Sequence, residues 1–334
     1  MDLKSCLSAL DNFAGKRVLV VGDLMLDEHV WGTVSRVSPE APVMVVNADS
    51  TDARPGGAAN VAKNIRALGA KACVVGVIGD DETGRILRDR LVESGVEVDG
   101  LFIDKSRPTT RKSRIWASHR HQVVRVDWED KRKIATSIVR RVIEFIDNVS
   151  DIVDAILLSD YDKGVVAKEI VRASIKAAND HNKMCVSNAK PRNLSYFTDI
   201  GLITMNRPEA TAASGVDISS ASDVERAGRK ILATTGCRGL VITTGAQGLS
   251  AFSSNGCVDH IPAVKSEVYD EAGAGDTVVS ALTLALTGGL DLAGAGAIAN
   301  CAGGAVVRKV GVATTTIEEI GALLSASWTQ LASG

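Results

Sequence analysis

Aromatic residues are scarce in this chain, only 4% of 334 positions, so its core has to be built largely from the Ala, Val, Leu and Ile that dominate its 45% hydrophobic content. Charge of one sign is also missing. With 38 basic and 40 acidic residues the formal net charge is −2, which offers no electrostatic footprint for nucleic acid and no polybasic membrane patch. The six cysteines (Cys6, Cys73, Cys185, Cys237, Cys257 and Cys301) form no C-x-x-C and have no His companion at metal-ligand spacing. They read as small core residues in a reducing compartment. The five histidines make no metal pattern, and no Ser/His/Asp order with a nucleophile elbow appears. Two nucleotide signatures are absent. There is no G-x-x-x-x-G-K-[ST], and the first strand turns through Gly22-Asp23-Leu24-Met25-Leu26-Asp27 without G-x-G-x-x-G, which disfavours P-loop and Rossmann readings. Met1 to Lys16 alternate polar and apolar positions and lack a signal peptide's apolar centre. The most hydrophobic region, Val278 to Val307, is Gly/Ala-rich and broken by Asp291 and Asn300. It predicts two buried helices instead of a membrane span. A cytoplasmic protein with no nucleic-acid and no membrane partner is expected.

What is present is alternation. Arg17–Val21, Ala72–Ile78, Ala155–Leu158, Met184–Ser187, Gly201–Thr204 and Leu240–Thr243 read as strands. Ala58–Leu68, Thr83–Ser94, Lys131–Val149, Ala167–Asn179 and Ala221–Thr235 read as helices. Such a pattern predicts an α/β fold: a mostly parallel sheet between helices, with ligands collecting at the carboxyl ends of the strands. Two segments break it. Val30 to about Asn47 is strand-like but holds two prolines, and Thr109 to Trp128 alternates while carrying Arg111, Lys112, Arg114, Arg120 and Arg125. They predict a small antiparallel flap, a lid at about 30–50 and 109–128, inserted into one domain spanning 1–334. Its exposed edges suit a homodimer. His119 and His121 lie on that flap at strand spacing, either touching substrate or facing solvent.

The most telling motif is Gly273-Ala274-Gly275-Asp276, followed by an apolar run from Thr277 to about Leu286. Small residues let the backbone approach a ligand, and the unpaired N–H groups of a first helical turn attract anions, typically phosphate. A carboxylate on that rim can take a proton from an attacking hydroxyl. Together these features point to phosphoryl transfer to an alcohol. Arg54-Pro55-Gly56-Gly57-Ala58-Ala59-Asn60 opens a helix where paired glycines let a polyol lie on the backbone, and Asn60 offers a donor and an acceptor. Asp23 and Asp27, after the first strand, can accept from sugar hydroxyls or simply be solvated loop acids. In Leu158-Ser159-Asp160-Tyr161-Asp162-Lys163-Gly164, Asp160 and Lys163 either help hold phosphate or form a surface turn. Asn206-x-x-Glu209 can hold the water shell of Mg²⁺ or cap a helix. Thr243-Thr244-Gly245-Ala246-Gln247-Gly248 wraps a nucleotide or makes a plain hairpin. Asn300, on a Gly/Ala-rich helix, meets an adenine edge or a backbone carbonyl.

The early Gly56-Gly57-Ala58-Ala59-Asn60 and late Gly273-Ala274-Gly275-Asp276 resemble the two signatures of the PfkB/ribokinase family of sugar kinases, and the likeness covers roughly residues 16 to 320. Within it, Gly22 to Asp27, Ser35 to Val43, Arg54 to Gly57 and Leu158 to Gly164 resemble the D-glycero-β-D-manno-heptose 7-phosphate kinases. Some relatives of those enzymes carry a fused nucleotidyltransferase domain, which this length is expected to exclude. The resemblance implies a ribokinase-like three-layer sandwich with a β-lid, ATP and Mg²⁺ with a monovalent cation as an additional ion, and phosphorylation of the anomeric hydroxyl of a heptose 7-phosphate. It makes Asp276 the base and Gly273, Ala274 and Gly275 the anion hole. Asp27, Gly56, Gly57 and Asn60 hold the sugar with Asp23 close by, and Asp160 and Lys163 stand near. Thr243, Gly245, Gly248 and Asn300 line the ATP site, with Asn188 beside it, and Asn206 and Glu209 support Mg²⁺. Lys112, Arg114 and Arg125 are the cations for the substrate's distal phosphate, an assignment that charge also supports. Two positions depart from the family: Ala272 replaces a Thr before the glycine, and Asn188-Ala189-Lys190 stands where Asp-Pro-Lys is common. A kinase of ribose, fructose 6-phosphate or a nucleoside is the nearest alternative, and a sugar or nucleotide sensor without turnover is the rival from another class.

Overall fold

The computed structural model describes residues 2–117, 121–264 and 267–332. The chain opens with helix α1 (Leu3–Asp11), then β1 (Arg17–Gly22), β2 (Leu24–Val37), β3 (Met44–Gly57), α2 (Ala58–Ala67), β4 (Lys71–Ile78), α3 (Glu82–Glu93), β5 (Glu97–Ile103), β6 (Thr110–Ala117), β7 (His121–Trp128) and α4 (Thr136–Val149). It continues through β8 (Ala155–Ser159), α5 (Lys168–Asp180), β9 (Met184–Ser187), β10 (Leu202–Asn206), α6 (Arg207–Ser214), α7 (Ala221–Thr235), β11 (Gly239–Thr243), β12 (Leu249–Ser253) and β13 (Val258–Ile261). The last helices are α8 (Ala274–Thr287), α9 (Leu292–Val306) and α10 (Ile317–Ala332).

Nine strands form one sheet in the order β13-β12-β11-β10-β9-β8-β1-β4-β5. Every neighbouring pair from β11 to β5 is parallel, and only β12 runs against the rest, pairing antiparallel with both β11 and β13. The central strands are buried on both faces, which is why they read as near-continuous Val/Ile/Leu runs. The alternation within β1 sorts the helices into two layers. Val18 and Val20 point into a core shared with α2, α8 and α9, whereas Leu19 and Val21 point into one shared with α4, α5 and α7. The result is the expected three-layer α/β sandwich. Strand order reverses at β1. From it the sheet grows one way through β4 and β5 and the other way through β8 to β11. Ligand crevices form at the carboxyl ends of strands beside such a switch point.

A second sheet, β3-β2-β6-β7, stands apart from the first. It is not wholly antiparallel as the sequence suggests, because β2 and β6 pair in parallel. The hairpin is also longer than expected. β2 starts at Leu24, directly after β1, and β3 runs into the glycine pair, so Asp27 and Gly56 are both strand residues near the hairpin base, with Asp27 opposite Arg54 and Gly56 opposite Met25. Other differences are local. The segment Met1 to Lys16 contains helix α1, capped by Asp2, whose carboxylate accepts from Ser5 N–H. α4 begins at Thr136 rather than Lys131, because residues 131–135 form an extended approach tied to Gly164 O through Ile134 N–H. Five cysteines are buried as expected, but Cys257 is exposed in the turn before β13. His119 and Arg120 lie outside the described residues. Among the described residues no helix is long and apolar enough to cross a membrane.

Candidate active site

The site starts from two helix N-termini that share a buried polar seam. α2 begins at Gly57, whose φ of 58° and ψ of −133° only glycine adopts readily. Gly273, the residue before α8, lies in the left-handed region, φ 78°. Asn60, in the first turn of α2, donates its amide to Asp276 Oδ2 at 2.7 Å. One turn further, Thr277 Oγ1 donates to Asn64 Oδ1 at 2.8 Å, and Ser280 Oγ reaches Val61 O at 3.2 Å. Each polar group in this seam has a partner, as buried polar groups must.

Asp276 is 6% exposed and lines a cavity of about 320 Å³. Burial pushes its carboxyl up to about 6, while hydrogen bonds from Tyr161 and Asn60 and the charge of Lys190 oppose that rise and Asp27 adds to it. The Tyr161 hydroxyl donates to Asp276 Oδ1. A carboxylate that is ionised at neutral pH yet close to its titration range suits a general base. No side chain caps α8, and neither Gly275 nor Asp276 N–H finds an acceptor among the described residues. These two donors stand at the positive end of a fourteen-residue helix, an arrangement suited to an anion.

The cavity walls sort into two ends. On one side lie Asp27, Gly57, Asn60, Lys112 and Arg114. Arg114 donates to Asp27 Oδ1 at 2.5 Å, and Lys112 Nζ to Asp127 at 3.1 Å. A Cβ at Gly56 would sit 2.3 Å from Asp27 Oδ2, so any other residue there would displace the Asp27 carboxylate from Arg114. On the other side lie Asn188, Lys190, Thr204, Asn206, Glu209 and Thr243. Ala272, Gly273 and Gly275 join the two ends with Asp276. Asn206 and Glu209 form a complete capping box on α6, and Glu209 also pairs with Lys190. Among the described residues no cluster of three His, Cys, Asp or Glu could cage a metal.

Several residues expected at the site have other duties. Asp23 is 1% exposed, and its carboxylate accepts N–H bonds from Tyr161, Lys163 and Val165. With its capacity spent on backbone it braces the loop after β8 and does not line the cavity. Asp160, pushed up to about 6 by burial, accepts from the N–H groups of Asp162 and Lys190 and from the Asn193 amide. Lys163 pairs with Glu129 beneath the flap, and Arg125 makes a two-pronged contact with Asp127 on an exposed surface. Asn300 donates to Pro262 O at 2.8 Å, so the backbone-carbonyl reading holds in this structure. Gly245 and Gly248 belong to the tight connection between β11 and β12, where Thr244 bonds Gly248 O. Ala274 is the first residue of α8 but not a cavity wall. At the departure from the family pattern, Asp270 accepts from Ala272 and Gly311 N–H. The turn before Gly273 is thus braced without a Thr hydroxyl. Sequence reasoning missed Tyr161 and Lys190. Both follow a strand of the parallel sheet and lie within the runs Leu158 to Gly164 and Asn188 to Lys190, but nothing in either run marks its role.

The profile of pfkB family carbohydrate kinases matches residues 16–319. The chain is 40% identical over 312 residues to the bifunctional protein HldE of Desulfatibacillum aliphaticivorans, covering 93% of this chain and 64% of that protein. It is also 40% identical over 320 residues to the bifunctional protein HldE of Geobacter sulfurreducens, 96% of this chain and 65% of the other. It thus spans just under two thirds of the length of these relatives. Phosphofructokinase-2 from Escherichia coli in complex with potassium superposes with a TM-score of 0.78 at 20% identity, over 93% of this chain and 98% of that one. Arabidopsis thaliana ribokinase complexed with ribose and ATP gives 0.72 at 17% identity, over 92% and 98%. At these identities the likeness establishes the fold.

The raised Asp276 carboxyl has a consequence for stability. Folding favours its protonated form, so this contribution is full below the ordinary carboxylate range and is lost as pH rises through about 6. Asp276→Asn removes that loss. The variant is expected to be more stable than the wild type by on the order of 1–3 kcal/mol at neutral pH, with no advantage near pH 4. Urea unfolding of both proteins across that range checks it, and equal stabilities at neutral pH would contradict the burial argument.

Proposed function

The chain belongs to the pfkB family of carbohydrate kinases, and from that premise we propose that it transfers the terminal phosphoryl of ATP to the anomeric hydroxyl of a D-glycero-D-manno-heptose 7-phosphate. The observation that carries the reading is a buried carboxylate, Asp276, set between free N–H donors of α8 and a flap wall bearing Lys112 and Arg114. The sugar lies over Gly57, with Asn60 and Asp27 meeting its hydroxyls. Asp276 takes the proton from the attacking hydroxyl, and the N–H groups of Gly275 and Asp276 receive charge on the moving phosphoryl group. The nucleotide runs toward Thr243. The names of the HldE relatives and the matching sequence runs support the heptose assignment over other sugars of the family.

Magnesium is the metal that fits the donor set. Asn206 and Glu209 stand at the nucleotide end with only one carboxylate between them, and their oxygens already accept from each other's backbone N–H and from Lys190, so they would meet the ion's waters rather than the ion itself. The ion would keep its own waters and the ATP oxygens in its inner sphere. When bound, it would neutralise charge between the β- and γ-phosphates. Lys190, already paired with Glu209, stands beside that position.

The flap is proposed as the lid and as the surface of a homodimer. Its two edges, β3 and β7, lie largely open, and Val124, Val126 and Trp128 expose 47%, 39% and 41% of their surface on β7. Covering such edges and apolar side chains with a second copy removes an aggregation hazard.

Four experiments test these readings. ADP release across a panel of sugars is expected to be greatest with the heptose 7-phosphate and to be abolished by chelation of divalent ions. Asp276→Asn is expected to lower kcat about 10²–10⁴-fold with ATP binding retained; near-normal turnover would remove Asp276 as the base. Arg114→Met is expected to raise KM at least tenfold more for a phosphorylated sugar than for its unphosphorylated counterpart, as the loss of a charge-assisted contact implies. An equal effect on both sugars argues against a distal-phosphate contact. Light scattering at micromolar concentration is expected to give the mass of a dimer, and a monomer mass would dismiss the flap interface.

A further inference from the structure

The function proposed above leaves one neighbour of the base without a role. Tyr161 lies in the loop after β8, lines the cavity, and gives its hydroxyl proton to Asp276 Oδ1. Two features hold it there. Asp23 fixes its backbone by accepting Tyr161 N–H at 2.9 Å, Lys163 N–H at 3.1 Å and Val165 N–H at 3.0 Å. Lys190 Nζ stands 5.2 Å from the ring centroid, close enough for a cation–π contact, and is itself anchored by Glu209. Two segments distant in sequence, carrying Asp276 and Lys190, therefore meet the phenol itself, and a third, carrying Asp23, holds its backbone.

We infer that Tyr161 is a positioning residue that keeps Asp276 ionised and aimed in the free enzyme, with Asp23 and Lys190 holding the phenol in place. The inference rests on Asp276 being the base. Its physical content is a balance. A carboxylate placed in so dry a position favours its neutral form, and a neutral acid cannot accept the sugar's proton. Asn60 steadies one oxygen at 2.7 Å, and Tyr161 steadies the other. Burial and the adjacent acid keep the phenol's own ionisation well above its ordinary range, so it remains a donor wherever the enzyme works. The other charged groups facing Asp276 do not substitute for it. Asp27 on β2 opposes ionisation. Lys190 favours it but is shared with Glu209, while Arg114 and Lys112 on β6 are committed to Asp27 and Asp127.

Tyr161→Phe deletes one oxygen and keeps the ring over which Lys190 sits. Two measurements read the result. The first is the pH profile of kcat/KM for ATP-dependent phosphorylation, using the sugar that turns over best. Its acid limb, expected near 6 in the wild type from the Asp276 value, should move up by about one unit or more, the worth of a hydrogen bond to a charged group. Activity lost at neutral pH should be recovered at higher pH. An unmoved limb, or a loss that is uniform across pH, overturns the inference, since packing damage or a lost sugar contact lowers the whole curve without displacing it. The second measurement needs no turnover. The stability difference between Asp276→Asn and its parent, followed against pH, reports the ionisation of Asp276 directly. Its midpoint should be higher when the parent carries Tyr161→Phe, and an unchanged midpoint again overturns the proposal. If Asp276→Asn keeps full turnover, the base assignment fails by itself, and the unfolding data still decide whether Tyr161 governs the carboxyl.

Discussion

The seam between α2 and α8 is the contact on which the site depends. Two helices whose first turns carry small residues approach closely enough for Asn60 to meet Asp276, Asn64 to meet Thr277, and Ser280 to meet the backbone at Val61. Apolar packing alone would leave the two helices free to slide or rotate by a fraction of a turn. Directional bonds in a dry interface do not permit that, because any displacement strands a buried polar group at a cost of about 1–3 kcal/mol. The seam fixes the carboxylate relative to the glycine pair and leaves the N–H donors of α8 open to the cavity.

Such a location is unfavourable for a carboxylate, and the surrounding structure offsets the penalty in part. Tyr161 and Asn60 each give Asp276 a hydrogen bond, while burial and Asp27 act against its ionisation. The chain thus carries a local destabilisation at the position proposed for the base, a pattern common where activity and stability compete. Asp23 and Asp160 follow the opposite logic. They are as buried as Asp276, yet each is surrounded by backbone or amide donors and serves to hold a loop. Three acids at strand ends or helix starts look alike in sequence. Their roles diverge according to whether the donors around them leave a face toward the cavity.

The same principle explains which site residues were legible. Gly57, Asn60, Gly273, Gly275 and Asp276 announce themselves, since backbone geometry at a helix entrance restricts residue type locally. The pattern Asn206-x-x-Glu209 is legible as a helix cap, the simpler of its two readings, and the structure shows that capping box intact at the cavity wall. Asp160, Lys163, Arg125 and Asn300 were not, since their partners Asn193, Glu129, Asp127 and Pro262 are ordinary residues with no motif of their own. Tyr161 and Lys190 escaped for a related reason. The contact of Tyr161 with Asp276 spans 115 positions, and nothing near either residue marks the other.

Sequence by itself determined most of the elements and their layering: alternating buried strands and amphipathic helices, glycines at two helix entrances, and a basic, strand-forming insertion. Periodicity and turn chemistry are local, and a parallel sheet with a strand-order reversal is the stable way to bury such a pattern. Only the tertiary structure decided which acid faces the cavity, which cations are held by Asp27 and Asp127, and that a phenol and an amide share the buried carboxylate. Those outcomes depend on side-chain directions and on competition among donors brought together from distant parts of the chain. The final arrangement of partners around a buried charge is a property of the packed molecule.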